Sequence, residues 1–358
     1  MIHMVIKITL LLVFFAVMVG IGLYCRKHAT DVNGFVLGGR SVGPWLTAFA
    51  YGTSYFSAVV FVGYAGQFGW KYGIAATWAG IGNALLGSLL AWAVLGRRTR
   101  IMSQHLDSAT MPEFFGKRFG SKSLKIAASV IIFIFLIPYT ASLYNGLIRL
   151  FGMAFHIDYS LCVIVMAVLT GVYVIAGGYM ATAINDFIQG IIMIFGICAV
   201  IAAVLHGQGG FMAALEGLAQ VQDPEVSQAP GVFASFFGPD PMNLLGVVLL
   251  TSLGTWGLPQ MVQKFYAIKD EKAIDTGMVI STVFAALVAG GCYFLGGFCR
   301  LFSDKVDLAA GGYDSIIPTM LSGLPDLLIA VVVILVLSAS MSTLSSLVLA
   351  SSSTLTLD

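Results

Sequence analysis

Nine runs of about twenty mainly apolar residues fill this chain, at approximately 4–24, 44–66, 73–96, 124–150, 160–177, 183–206, 243–263, 274–300 and 326–355. A helix rises ~1.5 Å per residue, so about 20 apolar residues span the ~30 Å hydrocarbon core of a bilayer. So many runs of that length leave little chain for anything else. Of the 358 residues only 10% are charged, against about 25% in soluble domains. This excludes a water-soluble enzyme, a nucleic-acid binder working through a basic surface, and a disordered chain. The expectation is an all-α integral membrane protein. Several runs carry Gly, Pro, Ser and Thr clusters, which a membrane helix tolerates where neighbouring protein satisfies the freed backbone groups.

The first run reads as a genuine span and not as a cleaved leader. Lys7 alone precedes it, no A-x-A site follows, and Tyr24 before Cys25 makes a poor lipobox. Alternate connections then divide the basic residues thirteen to five. The richer side holds segments 25–43, 97–123, 178–182 and 264–273 with Lys125 at its edge, and includes Arg40, Arg100 and Lys264. The poorer side holds Lys7, Lys71, Arg149, Arg300 and Lys305. By the positive-inside rule the richer side is cytoplasmic and the N-terminus outside. The loop from Gly207 to Asn243 agrees, with Glu216, Asp223, Glu225 and Asp240 but no Lys or Arg.

Two short helices are expected between spans. One lies around Phe211 to Val221, and the other follows Thr110 as N-cap with Pro112 in its first turn. The five cysteines, Cys25, Cys162, Cys198, Cys292 and Cys299, are far apart and read as small buried hydrophobes. The five histidines, His3, His28, His105, His156 and His206, sit near span ends or in loops. No HExxH, Walker A or GxSxG motif occurs, so no catalytic residue is assigned and an enzyme is not expected.

Five motifs fall in order along almost the whole chain. They are Phe35-Val36-Leu37-Gly38-Gly39-Arg40-Ser41-Val42-Gly43-Pro44, Gly177-Gly178-Tyr179, Asn185-Asp186-Phe187-Ile188-Gln189-Gly190, Gly257-Leu258-Pro259-Gln260 and Met341-Ser342-Thr343-Leu344-Ser345. As an ordered set they resemble the sodium/solute symporters, the family of bacterial proline, pantothenate and sialic acid transporters. The resemblance implies one transmembrane domain over 1–358 with the inverted-repeat fold of the amino-acid transporter LeuT. A leading helix (4–24) would precede a first five-helix repeat (44–206) and a second, incomplete one (243–358), each opened by a broken helix. Asp358 follows the ninth run directly, so the last two helices of the second repeat are expected to be missing.

Sodium seeks about five or six oxygens, which in apolar surroundings come from unwound carbonyls and hydroxyls. The stretch Ala50-Tyr51-Gly52-Thr53-Ser54-Tyr55-Phe56-Ser57-Ala58 is small and hydroxyl-rich. It reads either as a mid-membrane break or as a seam for close helix packing. In the ninth run Ser338, Ser342 and Ser345 share one helical face. Those hydroxyls either bond back to carbonyls one turn earlier or face an ion. The resemblance places a sodium site on the carbonyls of Thr53, Phe56 and Ala339 and the hydroxyls of Ser342 and Thr343. Asp186, costly inside a membrane unless paired, reads either as favouring a helix N-terminus or, through the resemblance, as attracting sodium near its inner exit.

For the solute, the broken helices and the fourth span are expected to supply Ser54, Tyr55, Ser57, Tyr139, Thr251, Thr255 and Trp256. Tyr55 and Thr251 stand where the proline branch of the family carries aspartate and tryptophan. The pattern Tyr55-x-Ser57-Ala58-x-x-Phe61-x-Gly63, Lys71-Tyr72-Gly73 and Gly257-Leu258-Pro259 is more similar to the pantothenate branch. The expected function is sodium-coupled symport of an amino acid such as proline, or of a pantothenate-like or monocarboxylate-like anion, in the cell membrane. A transporter-like sensory module is the alternative. Sodium, solute and lipid are the expected partners, with no nucleic acid.

Overall fold

Helices account for all nine apolar runs. The structure is a computed structural model and describes residues 2–155, 159–227 and 229–358. His156 lies outside the described residues, as do the side chains of His3, Lys7, His28 and Cys162. In chain order the principal helices are α1 (Ile2–Cys25), α2 (Pro44–Tyr55), α3 (Val59–His105, a continuous helical stretch), α4 (Met111–Phe119), α5 (Lys122–Phe155) and α6 (Tyr159–Gly207). There follow α7 (Phe211–Gln220), α8 (Pro241–Leu253), α9 (Pro259–Ala267), α10 (Glu271–Gly296) and α11 (Asp326–Leu357). Among the described residues β-pairing is confined to two isolated bridges, Val42 with Ile268 and Asp223 with Ser227.

Among the described residues six helices are long and apolar enough to cross a membrane, or seven if the bent pair Pro241–Gly257 and Pro259–Ala267 is one span. Nine runs nonetheless fit, because two of the six are too long to cross once. Val59–His105 has 47 residues and Val163–Gly207 has 45. At ~1.5 Å per residue either would reach about 70 Å, more than twice the bilayer core. Each is divided by a glycine in a conformation that L side chains rarely adopt: Gly73 (φ 61, ψ −142) and Gly178 (φ 54, ψ −146).

The short helices form for local reasons. Thr110 Oγ1 accepts from the Glu113 amide while Glu113 Oε2 accepts from the Ala109 amide, and Gly120 closes α4 in the left-handed region. Asp240 and Asp270 cap α8 and α10 in the same way.

Burial sorts the spans into centre and rim. In its most apolar stretch α11 is 72% buried and α5 only 11%. The α5 face carries Ile131, Ile134, Phe135 and Ile137 exposed, as a lipid-facing helix does. Cys198, expected to be buried, is also exposed, because it lies on the outer side of α6. Cys25, Cys292 and Cys299 are buried.

Charged residues tie the span ends together in two groups. At one end Arg40 donates to the Ser108 carbonyl (2.8 Å), Arg100 to the Lys269 carbonyl (3.1 Å) and Lys125 to the Leu357 carbonyl (2.9 Å). These segments form most of the basic-rich side. At the other end Arg300 donates to Asp223 Oδ2 (2.7 Å) and to the Trp70 carbonyl (2.6 Å), with its guanidinium 4.1 Å from the centre of the Phe233 ring. That hydrogen bond from Arg300 holds the Asp223 carboxyl below its ordinary value. Lys264, counted above among the surface charges of the basic-rich side, is a correction: it is only 1% exposed. The half-helix α9 continues into the interior instead of ending at the surface.

Candidate functional site

The chain unwinds between Tyr55 and Ala58. Phe56 is extended (φ −94, ψ 114), and helical bonding restarts from the Ser57 carbonyl, which accepts from the amides of Val60 and Phe61. A helix broken in the middle of a membrane leaves carbonyls without amide partners. The Thr53 carbonyl meets the ninth span instead, 3.3 Å from both Ser342 Oγ and Thr343 Oγ1. Each of these hydroxyls also lies 3.1 Å from the Ala339 carbonyl. All four residues are fully buried.

Each hydroxyl has one proton and faces two carbonyls, so two protons serve four acceptor contacts. The remaining demand for positive charge suits a small hard cation. Oxygens held at ~2.3–2.6 Å around such an ion lie roughly 3.3–3.7 Å from one another in octahedral geometry. The observed separations of 3.1 and 3.3 Å are close to that spacing. Four of the five expected ligand groups are thus brought together. The hydrogen bonds that join them do not extend to the Phe56 carbonyl, which its extended backbone turns out of the helical ladder.

Asp186 is fully buried in α6, eight residues past the break at Gly178 and therefore beyond the first turn where a helix dipole favours a carboxylate. The structure sets it not with the Thr53 group but against Lys264, whose Nζ is 3.8 Å from Asp186 Oδ2. The ammonium also donates to Ser346 Oγ (3.0 Å) and lies 5.1 Å from the centre of the Tyr179 ring. Ser346 Oγ in turn is 2.8 Å from Ser54 Oγ. Lys264 is the buried charged residue of this group that the sequence reading missed. The available signal was Asp186 itself, since a membrane-buried acid calls for a basic partner.

A cavity of about 660 Å³ adjoins the break in α2, where Tyr55 and Ser57 line it. Five of the seven expected solute residues line it: Tyr55, Ser57, Tyr139, Thr251 and Thr255. The other two are elsewhere. Ser54 is turned toward Ser346, and Trp256 donates its indole N–H to the Leu86 carbonyl (2.9 Å). Tyr64, Ser142 and Tyr293 line the cavity without having been expected. Its described lining contains no Asp, Glu, Lys, Arg or His, so the polar groups it presents are hydroxyls and the backbone of 254–259. Tyr55 is anchored across the cavity by donating to the Thr251 carbonyl (3.1 Å).

A multi-span helical fold with two broken spans, one of which (α2) meets the unbroken α11 at a buried cluster of neutral oxygens, is an architecture of the inverted-repeat type. The chain belongs to the sodium:solute symporter family, whose model matches residues 35–358. It is 31% identical over 290 residues to the osmoregulated proline transporter OpuE of Bacillus subtilis (strain 168), covering 78% of this chain and 56% of that one. It is 30% identical over 356 residues to the sodium/proline symporter of Staphylococcus aureus (strain JH9), covering 97% and 66%. The chain therefore spans between 56% and 66% of the length of these relatives. Its fold matches the substrate-bound, outward-open structure of a Na+-coupled sialic acid symporter with a TM-score of 0.78 at 15% identity, over 98% of this chain and 72% of that one.

Proposed function

We propose that this protein is a sodium-coupled symporter, carrying a small organic solute through the cell membrane by alternating access. The observation that carries the reading is the convergence of the Thr53 carbonyl on Ser342 and Thr343, 289 and 290 residues further along the chain. A neutral oxygen group at a helix break takes sodium without the cost of a buried anion. On this reading the Phe56 carbonyl completes the shell, the N-terminus is outside, and residues 44–206 and 243–358 are the two repeats. Asp186 acts on sodium only through the charge it shares with Lys264.

The solute occupies the 660 Å³ cavity, where Tyr55, Ser57, Tyr139, Thr251 and Thr255 supply hydroxyls within an otherwise apolar wall. Both named relatives are proline transporters, which supports an amino acid, while Tyr55 and Thr251 support an organic anion such as a pantothenate-like or monocarboxylate-like one. One charge crossing ~100 mV releases roughly 2.3 kcal/mol. Together with its concentration gradient, a single sodium drives more than tenfold accumulation.

A sodium-jump uptake screen against labelled amino acids, pantothenate and monocarboxylates tests this. Ser342→Ala combined with Thr343→Ala is expected to raise the sodium concentration for half-maximal uptake more than about tenfold, since each lost hydroxyl removes about 1 kcal/mol. The order of preference among solutes should be unchanged. Uptake equally stimulated by sodium in the double variant and in the wild type overturns the assignment.

A further inference from the structure

Three hydroxyls that line the 660 Å³ cavity belong to the C-terminal end of α8 or bond to it, and each has already placed its proton. Tyr55 donates to the Thr251 carbonyl (3.1 Å) and Thr255 Oγ1 to the Ser252 carbonyl (2.8 Å). Thr251 Oγ1 has three acceptors in reach, the Val247 carbonyl (2.9 Å), Asn83 Oδ1 (3.2 Å) and the Val248 carbonyl (3.4 Å). A hydroxyl carries one proton and two lone pairs. What Tyr55, Thr251 and Thr255 have left for the cavity is therefore lone pairs, and turning a proton inward would break a bond already made.

The helix end has the same sign. Over its 13 residues α8 builds a dipole whose C-terminus is partly negative, which favours a donor or a cation beside it. The described lining holds no Lys, Arg or His that could donate to this patch. A donor has to arrive with the solute.

We propose that the solute is a carboxylate bearing an N–H or O–H donor of its own, which sits on the acceptor patch of Tyr55, Thr251 and Thr255. Amino acids and pantothenate-like anions meet this requirement. An unsubstituted monocarboxylate brings only acceptors, sets lone pair against lone pair and is rejected. This rests on the symport reading and narrows its solute.

The test is the sodium-stimulated component of uptake by the purified protein in proteoliposomes, for three labelled pairs of similar size: proline and cyclopentanecarboxylate, lactate and propionate, pantothenate and octanoate. The first member of each pair carries a donor and the second does not. Wild type should take up the donor-bearing member of at least one pair more than about tenfold faster. A preference in the proline pair assigns an N–H, and one in the lactate pair an O–H. Thr255→Val keeps the shape but removes the lone pairs, and should cut that ratio to within about threefold, while Thr255→Ser should keep it. A merely damaged transporter would lose both members alike and leave the ratio standing. Should Thr255→Val fail to fold, Thr251→Val is read in the same way. Equal uptake of both members of every transported pair, or a wild-type ratio in both valine variants, overturns the proposal. Absence of sodium stimulation for all six solutes defeats instead the symport reading beneath it, and the proposal with it.

Discussion

Lys264 and Asp186 carry opposite charges 3.8 Å apart and expose almost no surface. Removing one partner of such a pair strands the other, at a cost of about 3–5 kcal/mol, whereas replacing both by apolar groups of similar size is often nearly neutral. Lys264→Met and Asp186→Leu should therefore each lower the melting temperature in sodium-free detergent far more than the two together. A double variant as damaged as the sum of the singles contradicts the pairing. At this scale the sequence was informative where residue type carries its own chemistry. The hydroxyls of Ser342 and Thr343 and the small residues around Thr53 are unusual in apolar runs, and the structure joins them. Lys264 escaped because it stands one residue beyond the run 243–263, where a lysine ordinarily marks the membrane surface. Only the packing of α9 against α2 and α11 makes it interior.

Helix breaks and close approaches decide how the elements assemble. Gly296 has so little room that an added Cβ would stand 2.1 Å from the Ala65 carbonyl, and one at Gly69 would stand 1.9 Å from the Gly296 carbonyl. This backbone contact draws α10 against α3. Gly296→Val is expected to destabilise the protein by at least ~1–3 kcal/mol, since a packed interface does not accept added methyls freely. Gly246→Ala, on α8 with nothing within 4 Å, should leave the melting temperature almost unchanged and serves as the control. Equal effects of the two changes contradict the close-approach account. The nine runs, the Thr110-capped helix and the helix starting at Phe211 were legible because apolar length and capping chemistry are local properties. Their joining was not. Gly178 turns the chain without interrupting helical bonding, so two expected spans form one helical stretch of 49 residues.

Across the whole molecule, Arg300, just past the end of α10, fastens the loop that follows α7 to α3 close to its break at Gly73. Asp223 has a folded pKa below its unfolded value near 3.8, so its contribution is present above that value and fades as pH falls through the lowered one. Hydrogen exchange around Phe233 should accordingly quicken in acid below the ordinary aspartate range. Asp223→Asn should remove this acid-dependent part, and an unchanged acid profile in that variant contradicts the clamp.

The largest-scale claim is that the broken helix α2 meets the unbroken α11 at a neutral oxygen cage whose proposed ion couples the movements of the repeats. Equilibrium binding of radioactive sodium to the wild-type protein and to the Ser342→Ala/Thr343→Ala variant tests it most directly. The account predicts saturable, sodium-selective binding to the first and more than about tenfold weaker binding to the second. Binding of the same affinity to both would contradict it.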